Sequence, residues 1–255
     1  MNKVHIFAKN NEYSTSLKEK LLNLFPKYGF VEDENNPELV IAIGGDGTFL
    51  RCVHAFKDQD VYLLGIKTGT LGFFYDFDDN LEDILLKIKN NDFRVSEYRL
   101  LEADIDKDKT IYALNEIRIE NPFHTLTCDV YINDFKLETF RGNGLVVCSP
   151  IGSSAYNKSL GGAIIDTSLE VMELTEIATI QNNVYRSLGS SLIVSGDTKI
   201  EFRGDLNNLV IGYDFDIMTL ANSKEISFTL SHKSIKIIHD KDSHQIHKLK
   251  ESFIK

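Results

Sequence analysis

The chain has 255 residues, of which 42% are hydrophobic and 26% are charged, and its formal net charge is −10 at pH 7. This length and composition suit a globular protein with one large domain or two small ones. The acidic balance argues against a general nucleic-acid binder or an anionic-membrane binder, because both need a basic face. A small anionic ligand needs only a local cluster of Lys and Arg, so the net charge does not exclude one.

Cysteine usage and hydropathy indicate a cytoplasmic protein that does not enter a membrane. Cys52, Cys128 and Cys148 are far apart and form no C-x-x-C motif, which favours reduced cysteines in the core. No apolar run approaches the ~18 residues of a membrane span. The run at 4–8 is too short for a signal peptide.

Residues 1–95 alternate strand and helix signals, which predicts an α/β domain with a parallel sheet. Short apolar runs predict strands at 4–8, 39–43 and 61–66, and the second of these is fully apolar, as expected for a strand covered on both faces. Helices are predicted from a cap at Ser14 or Ser16, over 48–56, and from a cap at Asp79 or Asn80.

Residues 96–239 consist mostly of short strand-like runs separated by turn residues, which predicts a β-rich, sandwich-like domain. The runs lie at 110–120, 126–134, 135–140, 144–149, 191–195, 198–202, 208–213, 225–230 and 234–238. One Gly/Ser-rich stretch at 149–162 interrupts them. The polar tail at 240–255 is expected to form a helix that packs back on the N-terminal domain. A ligand cleft is expected between the two domains.

The sequence Gly44-Gly45-Asp46-Gly47 follows a predicted buried strand. Ligands of open α/β sheets bind outside the carboxyl ends of the strands, and glycines there let the backbone approach a ligand closely. The loop is neither a Walker A motif nor a Rossmann fingerprint. Asp46 fits a general base toward a hydroxyl or a Mg²⁺ ligand, or else a turn residue that caps the next helix.

Two further stretches carry candidate ligand contacts. A second glycine-bearing loop at 67–76 contains Phe73 and Phe74, which could stack on a base or belong to the core. Asn115 and Glu116 lie inside a strand signal, where adjacent residues face opposite sides. If both contact a ligand, they must lie at a strand end or a kink; otherwise they form a solvated edge pair.

The stretch 141–162, RGNGLVVCSPIGSSAYNKSLGG, runs from a predicted strand into a turn rich in small residues. Ser153 or Ser154 is a candidate helix N-cap that would leave N–H groups free for a ligand. A simple turn is the alternative. His244 and His247 lie in the polar tail and are interpreted as solvated, and no His/Cys cluster has the spacing of a zinc site.

These motifs, taken in order, resemble those of the NAD kinase family. They are GGDGTFLR, TGTLGFF, the Asn115-Glu116 pair, RGNGL with SPIGSSAYNKSLGGAI, and ATIQNNVYRSLGSSL. Their order matters because GGDG alone also occurs in diacylglycerol, sphingosine and phosphofructokinase relatives. The terminal HKLKESFIK is similar to the tail of the short Gram-positive bacterial members.

The resemblance implies ATP-dependent phosphorylation of the adenosine-ribose 2′-hydroxyl of NAD, which gives NADP, with a divalent metal, usually Mg²⁺, accompanying ATP. It implies that Asp46 is the general base, since a ribose hydroxyl is too weak an acid to lose its proton unaided at pH 7. It also implies a homodimer or homotetramer in which Arg141 can reach a neighbouring subunit's ligand.

The resemblance further implies which residues contact the dinucleotide. Gly47 and Arg51 match dinucleotide-binding positions, and Asn115 with Glu116 matches the pair that holds the adenosine-side ribose. The other expected contacts are Phe73, Arg141, Asn143, Ser154, Ala155, Tyr156, Asn157, Lys158, Ser159 and Ala178.

The chain departs from the family pattern at three places that bear on the nicotinamide side. Asn143 stands where the family has Asp, Ser149 and Ser154 replace threonines beside a bulkier Ile151, and 211–214 differs from the usual turn. Two other functions therefore serve as alternatives. One is a lipid or sphingoid kinase that shares GGDG, although such substrates need an apolar tunnel. The other is a non-catalytic NAD(P) sensor, although loss of Asp46 would be expected there.

Overall fold

The computed structural model describes residues 1–69 and 72–254. The chain divides into two compact units, one formed by Met1–Tyr98 with Lys233–Lys255 and the other by Arg99–His232. Thr70 and Leu71 of the predicted second glycine-bearing loop, and Lys255 at the end of the predicted tail, lie outside the described residues.

Strands and helices alternate early in the chain, and strands dominate later. The helices are α1 (Glu12–Tyr28), α2 (Asp46–Phe56), α3 (Leu81–Lys89), α4 (Tyr156–Ser159) and α5 (Gln245–Phe253). The strands are β1 (Lys3–Ala8), β2 (Val31–Glu32), β3 (Leu39–Gly44), β4 (Tyr62–Lys67), β5 (Arg94–Ile105), β6 (Lys109–Ala113), β7 (Glu116–Glu120), β8 (Leu126–Ile132), β9 (Phe135–Gly142), β10 (Gly144–Cys148), β11 (Val171–Ile177), β12 (Leu192–Ser195), β13 (Ile200–Arg203), β14 (Val210–Tyr213), β15 (Asp216–Thr219) and β16 (Glu225–His239).

The first unit is built on a parallel sheet, as the alternating pattern predicts. Its strand order is β2-β1-β3-β4, and the C-terminal part of β16 pairs in parallel with β4. All six residues of β3 are buried, which explains why its sequence shows no polar alternation. This sheet and α1 and α3 share one hydrophobic core.

The helix starts in this unit depend on local caps. Asn80 accepts the backbone N–H of Asp83 at 3.5 Å and begins α3, as predicted. The prediction for α1 is wrong: Asn11, not Ser14 or Ser16, is the N-cap, and its side chain accepts the Ser14 N–H at 2.8 Å. Asn is as good an N-cap as Ser, and Ser14 is buried inside the helix.

The second unit is β-rich and antiparallel. One sheet has the order β12-β11-β10-β7-β14-β15. In the other, the N-terminal part of β16 pairs with β13, followed by β8 and β9, while β5 pairs with β16 and β6. Side chains from both sheets form one hydrophobic core, as expected of the predicted sandwich.

Strand boundaries in this unit differ from the sequence pattern at two informative places. The strand signal at 110–120 is broken into β6 and β7 at Leu114 and Asn115. Conversely, the separate strand signals after residue 224 form one 15-residue strand, β16. Strands β5, β11 and β15 were not singled out by the pattern.

The three cysteines are free and buried, as predicted. Among residues 1–69 and 72–254, none of the helices combines the length and apolarity needed to cross a bilayer.

Candidate active site

The loop after β3 brings the Asp46 carboxylate to the start of α2. Gly45 is the N-cap residue, and Asp46 is the first helical residue. A side chain at Gly44 would place its Cβ 2.4 Å from Thr48 Oγ1, so only glycine fits the strand end. The chain thus turns sharply from a buried strand into a helix, and the Asp46 carboxylate lies at the turn.

The Asp46 carboxylate is held by the second glycine-bearing loop rather than by its own helix. Its oxygens accept the Phe73 backbone N–H at 3.0 and 3.2 Å and the Phe74 N–H at 3.4 Å. The Tyr75 hydroxyl donates to the Gly45 carbonyl at 2.7 Å. Gly45 occupies the N-cap position of α2, and no side-chain hydrogen bond caps the helix there. The alternative in which Asp46 caps this helix is therefore not observed.

The other predicted residues of the first unit surround this carboxylate. Gly47 and Arg51 are exposed, and the Arg51 guanidinium donates to the Gly47 carbonyl at 3.4 Å. Phe73 is half-buried, with its ring 5.4 Å from that of Phe253. Phe74 instead stacks on Phe49 inside the core, at 4.9 Å and an interplanar angle of 5°. Of the two aromatic residues, Phe74 therefore belongs to the core, and Phe73 is partly exposed.

In the second unit, Asn115 and Glu116 lie at the break between β6 and β7. The Asp214 carboxylate accepts the backbone N–H of Leu114 at 2.8 Å and of Asn115 at 2.7 Å. The Ser149 hydroxyl donates to the Leu114 carbonyl at 2.5 Å. These contacts satisfy backbone groups that a continuous strand would have paired, and the break lets both side chains lie at a strand end.

Within residues 1–69 and 72–254, one buried acceptor oxygen on Asn115 and one on Glu116 have no hydrogen-bond partner. Their residues are 8% and 5% exposed, and the two oxygens are Asn115 Oδ1 and Glu116 Oε2. A buried polar atom without a partner costs about 1–3 kcal/mol. Each of the two atoms can accept a hydrogen bond from a ligand.

The protonation of Glu116 is perturbed by its surroundings. Burial and the negative charge of Asp214 raise its pKa to about 7, although the Arg118 guanidinium, 3.8 Å away, and a hydrogen bond from the Tyr156 backbone N–H to the carboxylate oppose them. Arg118 also donates to Glu120 at 2.7 Å and lies over the Tyr156 ring at 5.1 Å. The Glu116 carboxyl can therefore change charge near neutral pH.

The Gly/Ser-rich turn packs directly against this pair. A side chain at Gly152 would place its Cβ 2.1 Å from the Asn115 carbonyl oxygen, so a glycine is required. The prediction that Ser153 or Ser154 is a helix N-cap is wrong, because a 3₁₀ turn covers Ile151–Ser154 and α4 follows without a side-chain cap. The buried Ser153 hydroxyl instead donates to Pro150 O at 2.6 Å and accepts from Ile165 N at 2.9 Å.

The predicted contacts at 154–159 differ in how accessible they are. Ser154, Ala155, Tyr156 and Lys158 are partly exposed, and Ser159 is exposed. Asn157 is fully buried, and its amide donates to Glu173 at 2.8 Å and accepts from Thr175 at 2.7 Å. Its side chain thus ties the turn to β11, so any effect on a ligand would act through the shape of the turn.

The remaining predicted residues, Arg141, Asn143 and Ala178, lie around the end of β9. Asn143 is exposed, and its backbone N–H donates to Ile177 O at 2.9 Å. Arg141 lies over the Tyr185 ring at 4.5 Å. Ala178 has φ of +46°, which is uncommon for a residue with a Cβ. Such backbone strain occurs often at ligand sites.

The structure therefore places the predicted residues in two groups. The first unit holds Asp46, Gly47, Arg51 and Phe73, and the second unit holds all the others. Asp214 and Arg118 were not selected from the sequence as site residues. Asp214 drew notice only because 211–214 departs from the family pattern, and Arg118 carried no signal.

The described residues do not form a cage for a metal ion. Between residues 1 and 69 and between 72 and 254, no group of three or more His, Cys, Asp and Glu side chains is arranged to hold one. Mg²⁺ typically keeps several waters and binds substrate phosphates with one or two carboxylates.

Comparisons with known proteins agree with the motif resemblance. A model of the ATP-NAD kinase N-terminal domain matches residues 5–92, and one of the ATP-NAD kinase C-terminal domain matches residues 114–240. The chain is 36% identical over 260 residues to NAD kinase 2 of Bacillus licheniformis, with 98% of each chain covered. It is 42% identical over 199 residues to the NAD kinase of Staphylococcus aureus strain JH9, with 74% of each covered.

The fold is similar to that of a solved relative. A crystal structure of yeast NADH kinase complexed with NADH superposes with a TM-score of 0.86 at 20% identity, covering 99% of this chain and 87% of that one. Because both family models match and the similarity to the Bacillus licheniformis relative extends along nearly the whole chain, this chain belongs to the NAD kinase family.

Proposed function

We propose that this chain transfers the γ-phosphate of ATP to the adenosine-ribose 2′-hydroxyl of NAD and so produces NADP. The observation that carries the proposal is the adjacent pair of buried acceptors, Asn115 Oδ1 and Glu116 Oε2, for which the described part of the chain provides no hydrogen-bond partner. A ribose presents two neighbouring hydroxyl donors, and each would satisfy one acceptor. The family membership supplies the identity of the substrate.

Asp46 would act as the general base on the attacking hydroxyl. Its carboxylate carries the lone pairs that a proton transfer needs, and the Phe73 and Phe74 N–H groups fix its direction without protonating it. The glycines beside it leave the backbone open to a close approach. Arg51, exposed on the same helix, would supply positive charge near a phosphate.

The other contacts would bind the dinucleotide rather than take part in proton transfer. The partly exposed rings of Phe73 and Tyr156 would contact the ligand, and the Tyr156 ring lies against the Arg118 guanidinium, which in turn is 3.8 Å from Glu116. Arg141, Asn143 and Ala178 would contact the nicotinamide half. A divalent metal on the ATP phosphates, which we propose to be Mg²⁺, would neutralise charge that develops during transfer.

A homodimer or homotetramer is proposed as the working form. Phe135 on β9 and Val184 in the loop before β12 are 78% and 79% exposed. Large exposed apolar side chains of this kind are common at subunit interfaces. A monomer by light scattering at working concentration, with full activity, would contradict this.

Three free buried cysteines support a cytoplasmic location.

The decisive test is NADPH production coupled to a dehydrogenase, with NAD, ATP and Mg²⁺ supplied. We expect turnover by the wild type and a fall in kcat of at least ~10²-fold for Asp46→Asn, which retains NAD binding but cannot accept the proton. Binding of NAD without turnover would favour the sensor, and turnover of diacylglycerol alone would favour the lipid kinase. Near-wild-type turnover by Asp46→Asn would remove Asp46 as the base.

A further inference from the structure

The C-terminal helix α5 is attached to the loop that holds Asp46. The Lys248 ammonium donates to the Phe73 carbonyl oxygen at 2.8 Å and lies 2.8 Å from Asp76 Oδ1. The Phe253 ring at the end of the same helix lies 5.4 Å from the Phe73 ring. The side chain of Lys248 is only 16% exposed, so these contacts are made in a partly dehydrated environment.

Asp76 provides a fixed anchor for this ammonium. Its side chain is 2% exposed and pairs with His239 Nδ1 at 2.5 Å, while the Ser243 hydroxyl donates to the same carboxylate. His239 Nε2 lies 3.3 Å from the Tyr98 hydroxyl. A neutral imidazole satisfies both contacts by donating from Nδ1 and accepting at Nε2. The Asp76 carboxylate is therefore held in place by His239, at the end of β16, and by Ser243.

One peptide unit lies between Lys248 and Asp46. The carbonyl of Phe73 accepts from the Lys248 ammonium, and the N–H of the same peptide unit, which belongs to Phe74, donates to the Asp46 carboxylate. In a trans peptide these two groups point in opposite directions, so the cation and the carboxylate lie on opposite sides of the loop. Hydrogen bonds with a charge at each end of one amide polarise it and strengthen each other.

We propose that Lys248 is a positioning residue for Asp46, acting through the Phe73–Phe74 peptide. The C-terminal helix then serves as a strap that sets the direction of the catalytic carboxylate. Without the ammonium, the Phe73 carbonyl loses its link to α5 and to the Asp76 carboxylate, and the two N–H groups no longer present a fixed pair of donors. This inference rests on the proposed role of Asp46 as general base.

The test compares Lys248→Met with Lys248→Arg and with Lys250→Met. Lys250 is exposed on the same helix about 200° from Lys248. We expect Lys248→Met to lower kcat about tenfold while KM for NAD changes less than about twofold, since a misdirected base affects chemistry more than binding. Lys248→Arg should recover most of the loss, and Lys250→Met should match the wild type.

Hydrogen–deuterium exchange supplies a readout independent of activity. The Phe73 and Phe74 amides should exchange faster in Lys248→Met than in the wild type or Lys250→Met. Unchanged kcat with unchanged exchange, or a loss carried entirely by KM, would overturn the proposal. If Lys248→Met does not fold, Lys248→Gln replaces it in the test. A wild-type kcat for Lys248→Gln would equally overturn the proposal. Inactivity of the wild type would instead refute the proposed function, while the exchange result would still stand.

Discussion

The Asp214 carboxylate accepts the backbone N–H of Asn115 at 2.7 Å, across 99 residues of sequence. This contact is made at the break between β6 and β7, where Asn115 and its neighbour lie at a strand end. The same carboxylate contributes to the raised pKa of Glu116. Asp214 therefore affects both the geometry and the charge of the proposed ribose site.

Replacing Asp214 with Asn should lower the pKa of Glu116 from its value of about 7, because a nearby negative charge is removed. The pH dependence of NAD affinity, measured by calorimetry, should shift to lower pH by the same amount. Asp216→Asn on β15 is the matched control, since Asp216 is not among the groups that perturb Glu116. An unshifted profile would show that Asp214 acts only on the backbone.

Glu116→Ala should weaken NAD binding by ~1.5–3 kcal/mol, the usual range for hydrogen bonds to a charged group. The reason is that Glu116 Oε2 is buried and accepts no hydrogen bond from residues 1–69 or 72–254, so it is available to a ribose hydroxyl. Calorimetric titration with NAD measures the change directly. Unchanged affinity would place the ribose elsewhere.

The same carboxyl group should make the ligand-free protein less stable at high pH. The pKa of Glu116 is about 7 in the folded protein, above the ordinary 4.5. The stabilisation that this carboxyl group contributes is therefore fully present below pH 4.5 and is lost as pH rises through 7. At ~1.4 kcal/mol per pKa unit, about 3 kcal/mol is at stake. In urea unfolding, the free energy of unfolding of Glu116→Gln relative to that of the wild type should rise by that amount between pH 4 and pH 8.5. Parallel pH curves for the two proteins would contradict this prediction.

Asp76 should produce the opposite pH dependence. Burial raises its pKa, but the hydrogen bond from His239 and the charge of Lys248 outweigh burial and hold the pKa at about 2. Because this lies below the ordinary 3.8, the stabilisation is present above pH 3.8 and is lost as pH falls through 2. The stability advantage of the wild type over Asp76→Asn should shrink by about 2 kcal/mol between pH 6 and pH 2. Asp78→Asn, at an exposed position, is the control.

Asn143→Asp should tighten binding of NAD⁺ more than that of NADH, by ~0.5–1.5 kcal/mol. The oxidised ring is positively charged, and a charge pair at ~5 Å with an effective dielectric of ~20 is worth ~3 kcal/mol before desolvation, and less net. Both dissociation constants should be measured for both proteins. Equal shifts, or none, would indicate that Asn143 only shapes the turn between Gly142 and Gly144, where Asn and Asp serve equally.

Local patterns in the sequence were sufficient for the fold class, the core strands of the first unit and the family. Strand β3 is recognisable because all six of its residues are buried and apolar, and α3 because Asn80 caps a helix with regular apolar spacing. The signal in each case lies within a few neighbouring residues. Asp46 stood out for the same reason, as a carboxylate among glycines at a strand end.

Tertiary structure decided which polar groups are already satisfied and which are available to a ligand. Asn157 looks like a contact residue in the sequence, yet its amide is consumed by Glu173 and Thr175. Among the described residues, Asn115 Oδ1 and Glu116 Oε2 have no hydrogen-bond partner, although nothing in the sequence distinguishes them from Asn157 in this respect. Lys248 meets Phe73 across 175 residues, and no local pattern reports such a contact, because hydrogen bonds depend on distance in space and not on separation along the chain.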